Sequence, residues 1–240
     1  MRRLPTILLF AVLVVFALKA GAAAADHPPT SAPSTDCFAL SPEEFEHYEP
    51  ANHLIEFDRV DQRLLSAAIM HETNRYRVEN KLRPLSHMDE LDQAALMHAN
   101  DMSAKSYLAH EEKDNPKLRD PIDRIRSTGL KPMLAAENIA TTFGIQYQGG
   151  RKAFPLRQWG RDGLSYTEDG PAIPRHTYRS FAAALVEQWM KSPHHRENIL
   201  LPDARYLGSA CVPAQPSNDE TTNEFHKFYC AQEFFTPKPR

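Results

Sequence analysis

Tyr206-Leu-Gly-Ser-Ala-Cys-Val-Pro213 and Phe225-His-Lys-Phe-Tyr-Cys-Ala-Gln-Glu-Phe-Phe235 are the two stretches on which the fold turns. Both are rich in apolar and aromatic residues, and the polar run Gln215-Pro-Ser-Asn-Asp219 divides them, so two strands joined by a turn-rich segment are expected. Upstream the period changes to that of a helix. Leu64, Leu65, Ala68, Ile69 and Tyr76 recur at helical intervals within Val60–Asn80. Ser86 is positioned to cap a second helix reaching about Ser106, with Asp89 at the capping-box position and Leu91, Ala94, Ala95, His98 and Met102 on one stripe. Asp120-Pro121 opens a third, shorter helix that stops at Gly129. A fourth runs from about Ser180 to Lys191 with Ala182, Leu185, Val186, Trp189 and Met190 on its buried side, and Asn198–Pro202 is expected to connect it to the strands. Helices first and strands last indicate an α+β class, not an alternating parallel sheet.

The chain has 240 residues, which allows one domain with a linker or a long insertion. Lys and Arg number 28 against 31 Asp and Glu, so the excess of positive charge that a nucleic-acid backbone demands is missing, and nucleic acid is excluded as a partner. Met1–Ala25 reads as a secretory signal: Arg2 and Arg3 precede the apolar run Ile7–Leu18, and Ala23-Ala-Ala25 offers a cleavage site. Its removal takes the net charge from −3 to −6. No later run approaches spanning length, so a secreted or periplasmic monomer without a membrane anchor is expected. Residues 26–58 form a Pro/Ser/Thr-rich linker and a polar lead-in, and the folded domain is expected at 59–236. Between Gly144 and about Thr177 the periodicity is lost among scattered Gly, Pro, Arg and aromatic residues, which reads as a long surface insertion.

Export alters the meaning of the three cysteines, because an oxidising compartment favours pairing over reduced nucleophiles. Cys211 and Cys230 sit in the two expected strands, and a cross-strand bridge between them fits, with Cys37 left over. Sequence alone does not fix the register, and other pairings stay open.

Several motifs in order carry a family resemblance. Asn74-Arg75 is followed by Leu82-Arg-Pro-Leu85, Leu91–Met102, Tyr107-Leu-Ala-His110, Ala136-Glu-Asn-Ile139 and Trp189-Met-Lys-Ser-Pro-His-His-Arg-Glu-Asn-Ile-Leu200. This resembles the CAP (SCP-like) domain, the superfamily of cysteine-rich secretory proteins, venom allergens and plant pathogenesis-related proteins, in its bacterial form. The likeness spans about Arg59 to Phe235. It implies an α-β-α sandwich around a three- to four-stranded antiparallel sheet, with a cleft lined by histidines and acids. Position by position, His110 matches the first cleft histidine, Glu137 the acid of the Glu-Asn motif, and His195 the second histidine. The chain departs from the pattern at His194, where a small residue is usual, and at Ser192, where eukaryotic members carry a second cleft acid. Glu187 does not replace that acid, since it projects roughly 130° from the buried stripe of its helix.

Two imidazoles and a carboxylate brought together from distant segments can hold Zn or another divalent cation, with His110 and His195 as ligands and Glu137 orienting a ring or a water. His194 is a fourth cleft candidate, and Glu137 and His195 are the candidates for acid/base chemistry. Two protein nitrogens fall short of the three ligands of a typical catalytic zinc site, so no cofactor is required. No His-Glu-x-x-His, Gly-x-Ser-x-Gly or glycine-rich phosphate loop is present. Asn74, Arg196 and Asn198 read as structural, His98 as a core histidine and Trp189 as a core anchor. The expected function is therefore an exported binding or interaction module for a lipid, sterol or protein partner, with weak metal binding. The alternative is a metal-dependent hydrolase of peptides or envelope polymers.

Overall fold

The structure, a computed structural model, describes residues 35–156, 163–216 and 225–239. The signal segment, most of the linker and part of the insertion lie outside the described residues. The helices are α1 (Pro42–Glu46), α2 (Gln62–Glu79), α3 (Asp89–Lys105), α4 (Pro121–Ser127), α5 (Tyr178–Lys191) and α6 (Pro193–Ile199). The strands are β1 (Ser86–His87), β2 (Pro132–Phe143), β3 (Phe154–Pro155), β4 (Leu164–Ser165), β5 (Tyr206–Pro213) and β6 (Lys227–Pro237). No helix among the described residues is long and apolar enough to cross a membrane.

Four strands form one sheet in the order β1-β5-β6-β2. All neighbours are antiparallel except the two-residue β1, which runs parallel to β5. β5 and β6 read as nearly unbroken apolar runs because helices cover both sheet faces. Phe228, Cys230 and Phe234 pack with Leu207 and Cys211 against Leu65, Ile69, Leu185 and Trp189 of α2 and α5. Their neighbours Tyr229 and Ala231 point the other way, with Ala210, Val212 and Ile139, onto Ala95, Ala99 and Met102 of α3. Phe235 joins Leu91, Ala94 and Ile125 on that same side, where α4 is packed. The architecture is an α-β-α sandwich of the α+β class.

One close approach fixes α3 against the sheet. A Cβ on Gly208 would lie 2.3–2.5 Å from atoms of Leu91 and Asp92, so no side chain fits there. The helix therefore reaches β5 closely enough for Asp92 Oδ1 to accept from the Ser209 amide at 2.8 Å.

β2 lies at the edge of the sheet, and its outward carbonyls need partners. Side chains of the adjoining helices supply them. Glu137 O accepts from Asn198 Nδ2 at 3.0 Å, Ile139 O from Trp189 Nε1 at 3.2 Å, and Thr141 O from Gln188 Nε2 at 3.2 Å. The two-residue spacing is that of carbonyls on one side of a strand, and each left unpaired would cost about 1–3 kcal/mol. Trp189 thus anchors the core and seals the edge at once.

Three local expectations need revision. Ser86 does not cap α3: it sits in β1, Met88 holds the cap position, and Asp89, Glu90 and Asp92 complement the helix N-terminus by charge alone. The expected connector Asn198–Pro202 is shorter, since Asn198 and Ile199 close α6, which begins at Pro193, one residue after α5. The polar lead-in delivers Phe45, Ala51 and Ile55 to the main core. In the described part of the surface insertion β3 pairs with β4, and Ile145, Leu164 and Ile173 form a small core with Tyr147, Tyr166 and Phe225.

Cys211 and Cys230 stand directly opposite each other in the β5–β6 ladder and are disulfide-bonded, while Cys37 is buried and free. The bridge closes a loop 19 residues apart in sequence, for which the chain-entropy argument gives about 3 kcal/mol. Replacing both cysteines with Ala should lower stability by about that amount in denaturant titration. A change below about 0.5 kcal/mol would show that the bridge does not constrain the unfolded chain as argued.

Candidate functional site

Glu137 and Asn138 are consecutive on β2, so they point to opposite faces of the sheet. Each pairs across the ladder with another polar residue, Glu137 with Glu233 and Asn138 with Gln232. All four are buried. Apolar strands thus carry one polar layer through the sandwich, and each polar side chain needs a partner there.

On the Asn138 face the layer is amide and hydroxyl. Gln232 Nε2 donates to Thr73 Oγ1 at 2.9 Å, and Asn138 Nδ2 donates to Gln232 Oε1 at 3.1 Å. Asn138 Nδ2 also donates to the His195 carbonyl at 3.2 Å, and Asn198 Nδ2 donates to Asn138 Oδ1 at 2.9 Å. α6 is therefore tied to β2 through side-chain amides, which fixes where His195 stands. Asn74 bonds both backbone groups of Leu85, and Arg196 donates to the Met190 carbonyl, so these residues hold backbone as expected.

The Glu137 face is ionic. His110 Nδ1 donates to Glu137 Oε1 at 2.7 Å, and Arg124 Nη2 donates to Glu137 Oε2 at 2.7 Å. Arg124 also donates to the carbonyls of His110, Leu118 and Arg119, each at 3.0 Å, and His98 Nε2 donates to the Ala109 carbonyl at 2.9 Å. The loop that carries His110 is pinned at every step. Arg124 is fully buried, and a buried guanidinium persists only where carboxylate and carbonyls replace its water.

Burial alone would raise the Glu137 carboxyl, but the His110 hydrogen bond and the Arg124 charge outweigh it and hold the group below the usual range. Glu233 behaves oppositely. Neither of its buried oxygens meets a donor, and burial plus the neighbouring Glu137 charge push its carboxyl well above the ordinary value. The stable arrangement leaves the proton on Glu233 and Glu137 ionised.

His110 is held by Glu137 and His195 by Asn138, the next residue on β2, and the His110 ring is near enough to act electrostatically on that of His195. His110 has half its side chain exposed. His195 is partly buried, and burial together with repulsion from the neighbouring His110 and His194 rings lowers its pKa, which keeps the ring neutral. His194 turns to solvent with its side chain 95% exposed, and of the adjacent pair His195 is the partly buried ring. Glu187 is exposed and paired with Lys191 at 2.7 Å. In the neutral ring, an Nδ1 proton donated to Glu137 leaves Nε2 as the lone pair, the form that binds a metal. Sequence reasoning missed Arg124 and Glu233. Their signal was available: Gln232-Glu233 interrupts an apolar strand whose two faces are both covered, and such a pair demands buried partners.

A stability test follows from Glu233. An acid whose folded pKa is raised stabilises fully below its unfolded value of about 4.3, and that contribution is lost as pH rises through the folded value. Glu233→Gln cannot ionise, so the variant should melt above the native protein at pH 8, with the gap closing toward pH 4. Parallel melting curves across that range would refute a proton held on Glu233.

The family model described as the cysteine-rich secretory protein family (CAP) matches residues 70–234. The "Uncharacterized protein YkwD" of Bacillus subtilis (strain 168) is 26% identical over 144 residues, covering 60% of this chain and 41% of that protein. The chain thus spans less than half the length of this relative. An extracellular protein containing a SCP domain from Bacillus anthracis aligns at TM-score 0.46 and 22% identity, over 72% of this chain and 41% of that one. An outer surface protein from Borrelia burgdorferi aligns at TM-score 0.46 and 17% identity, over 71% of this chain and 90% of that one. The family match covers more than half of the sequence and includes His110, Arg124, Glu137, His195 and Glu233, and on that ground the chain belongs to the cysteine-rich secretory protein (CAP) family.

Proposed function

We propose that this chain is an exported binding module whose ligand docks where His110 and His195 meet, with a divalent cation held weakly between the two rings. The observation that carries this reading is the state of Glu137: both carboxylate oxygens are committed, one to His110 and one to Arg124. A carboxylate so engaged and held ionised orients an imidazole; it is not free to take a proton from water. The rings lie at a half-exposed edge, and two nitrogens leave most of a cation's coordination to water or to ligand. A cleft of about 290 Å³ along the same strand, between Thr141–Phe143, Tyr147 and Gln188, gives a small hydrophobic ligand or an extracytoplasmic protein a second foothold beside the insertion. The signal-like N-terminal sequence and the Cys211–Cys230 bridge support export to a secreted or periplasmic location.

Titration of the metal-stripped protein with Zn²⁺ tests the site. His110→Ala and His195→Ala should each remove the same single equivalent of bound Zn²⁺, and His194→Ala should retain it. Unchanged stoichiometry in both of the first two variants would contradict the proposal. Turnover of peptide or cell-wall substrates by the native protein, abolished by His110→Ala, would replace the binding module with the hydrolase reading.

A further inference from the structure

β1 lies at the opposite edge of the sheet from β2, and it ends one residue before α3 begins. That abrupt step brings His87 of the strand beside Asp89 and Asp92 in the first turns of the helix. One ligand atom from each of the three lies within 4.8 Å of the others. His87 Nε2 stands 2.8 Å from Asp92 Oδ2 and 3.7 Å from Asp89 Oδ1.

Two of the three donors are already fixed. Asp92 spends Oδ1 on the Ser66 hydroxyl at 2.6 Å and the Ser209 amide at 2.8 Å, which leaves Oδ2 aimed at the cluster. The His87 ring is stacked on Phe38 with centroids 3.4 Å apart. Only Asp89 is loose, with its side chain 70% exposed. A cleft of about 330 Å³ lined by Gln62, Arg63, Asp89, Asp92 and Ser209 opens beside the two aspartates. Gln62 Nε2 donates to the Cys211 carbonyl at 2.9 Å, and its Oε1 is left buried with no donor. The cation that reaches the cleft is Arg63, itself exposed and shared between Asp89 at 3.3 Å and Asp36 at 3.0 Å. Exposed pairs of that kind are worth roughly 0–1 kcal/mol and yield readily to a divalent ion.

We propose that His87, Asp89 and Asp92 form a site for a divalent cation of the Mn²⁺ or Zn²⁺ class, separate from the His110/His195 edge. One imidazole and two carboxylates are the donor set those ions accept, and the hydrogen bonds behind Asp92 supply the orienting shell that such sites need. The site does not depend on the function proposed above.

Mn²⁺ alone is the probe, counted by loss of the free-ion electron paramagnetic resonance signal on adding metal-stripped protein. One equivalent should bind to the native protein and to the His110→Ala/His195→Ala double variant alike. Asp89→Asn, which alters an exposed side chain and leaves the Asp92 clasp intact, should weaken binding by about tenfold or more. Binding by Asp89→Asn equal to that of the native protein, loss of the ion in the double variant, or no Mn²⁺ binding to the native protein would each overturn the assignment and leave a simple histidine–aspartate pair.

Discussion

Glu137 is a carboxylate buried in the wall of an apolar sandwich, and the fold supports it with one guanidinium. Arg124 and Glu137 meet with both side chains almost completely withdrawn from water. Taking two charges into the interior costs several kcal/mol per ion unless each finds further partners. The further partners are structural. Arg124 Nη1 and Nη2 reach three carbonyls of the loop between α3 and α4 while its Nε is left without a partner, and Glu137 receives His110 from that same loop. Neutralising the buried acid and positioning the exposed imidazole are therefore one act. This explains how an irregular loop holds His110 in place without a regular element beneath it.

The opposite face of the same strand solves a different problem with different chemistry. Asn138, Gln232, Thr73 and Asn198 exchange uncharged hydrogen bonds that lash α6 to β2. An edge strand with free carbonyls invites pairing by another chain, and here Asn198, Trp189 and Gln188 close three of those carbonyls from the side. The helix that supplies Asn198 to this shield is also the one that carries His195. Edge protection and the placement of His195 are thus linked through Asn198.

Much of this was legible in the sequence. The strands β5 and β6 announced themselves because strands covered on both sides are apolar throughout, and the amphipathic stripes of α2, α3 and α5 declared which faces they bury. Cysteine redox logic and strand assignment together pointed to the bridge between Cys211 and Cys230, which the ladder register places opposite each other. His110, Glu137 and His195 came from motif resemblance, and the first two are in direct contact. What escaped was whatever depends on contact between distant segments. Ser86 looked like a helix cap because its neighbours fit one, but pairing with Tyr206 drew it into a strand. Arg124 sits beside Ile125 in a short, polar-looking helix, and nothing local distinguishes a guanidinium that will be fully buried from its exposed neighbour Arg126. α6 was hidden for a similar reason. A seven-residue helix of mostly polar residues has no periodicity to read, and its stability comes from β2.

The central claim is that Glu137 sets the orientation and the tautomer of His110, so the most direct measurement is the tautomer of that ring. Nitrogen-15 correlation spectra of the imidazoles at pH 7.5 separate the two neutral forms. The account predicts that His110 carries its proton on Nδ1 and leaves Nε2 bare, and that Glu137→Gln releases the ring to a mixture of both. A His110 protonated on Nε2, or one indifferent to Glu137→Gln, would contradict it.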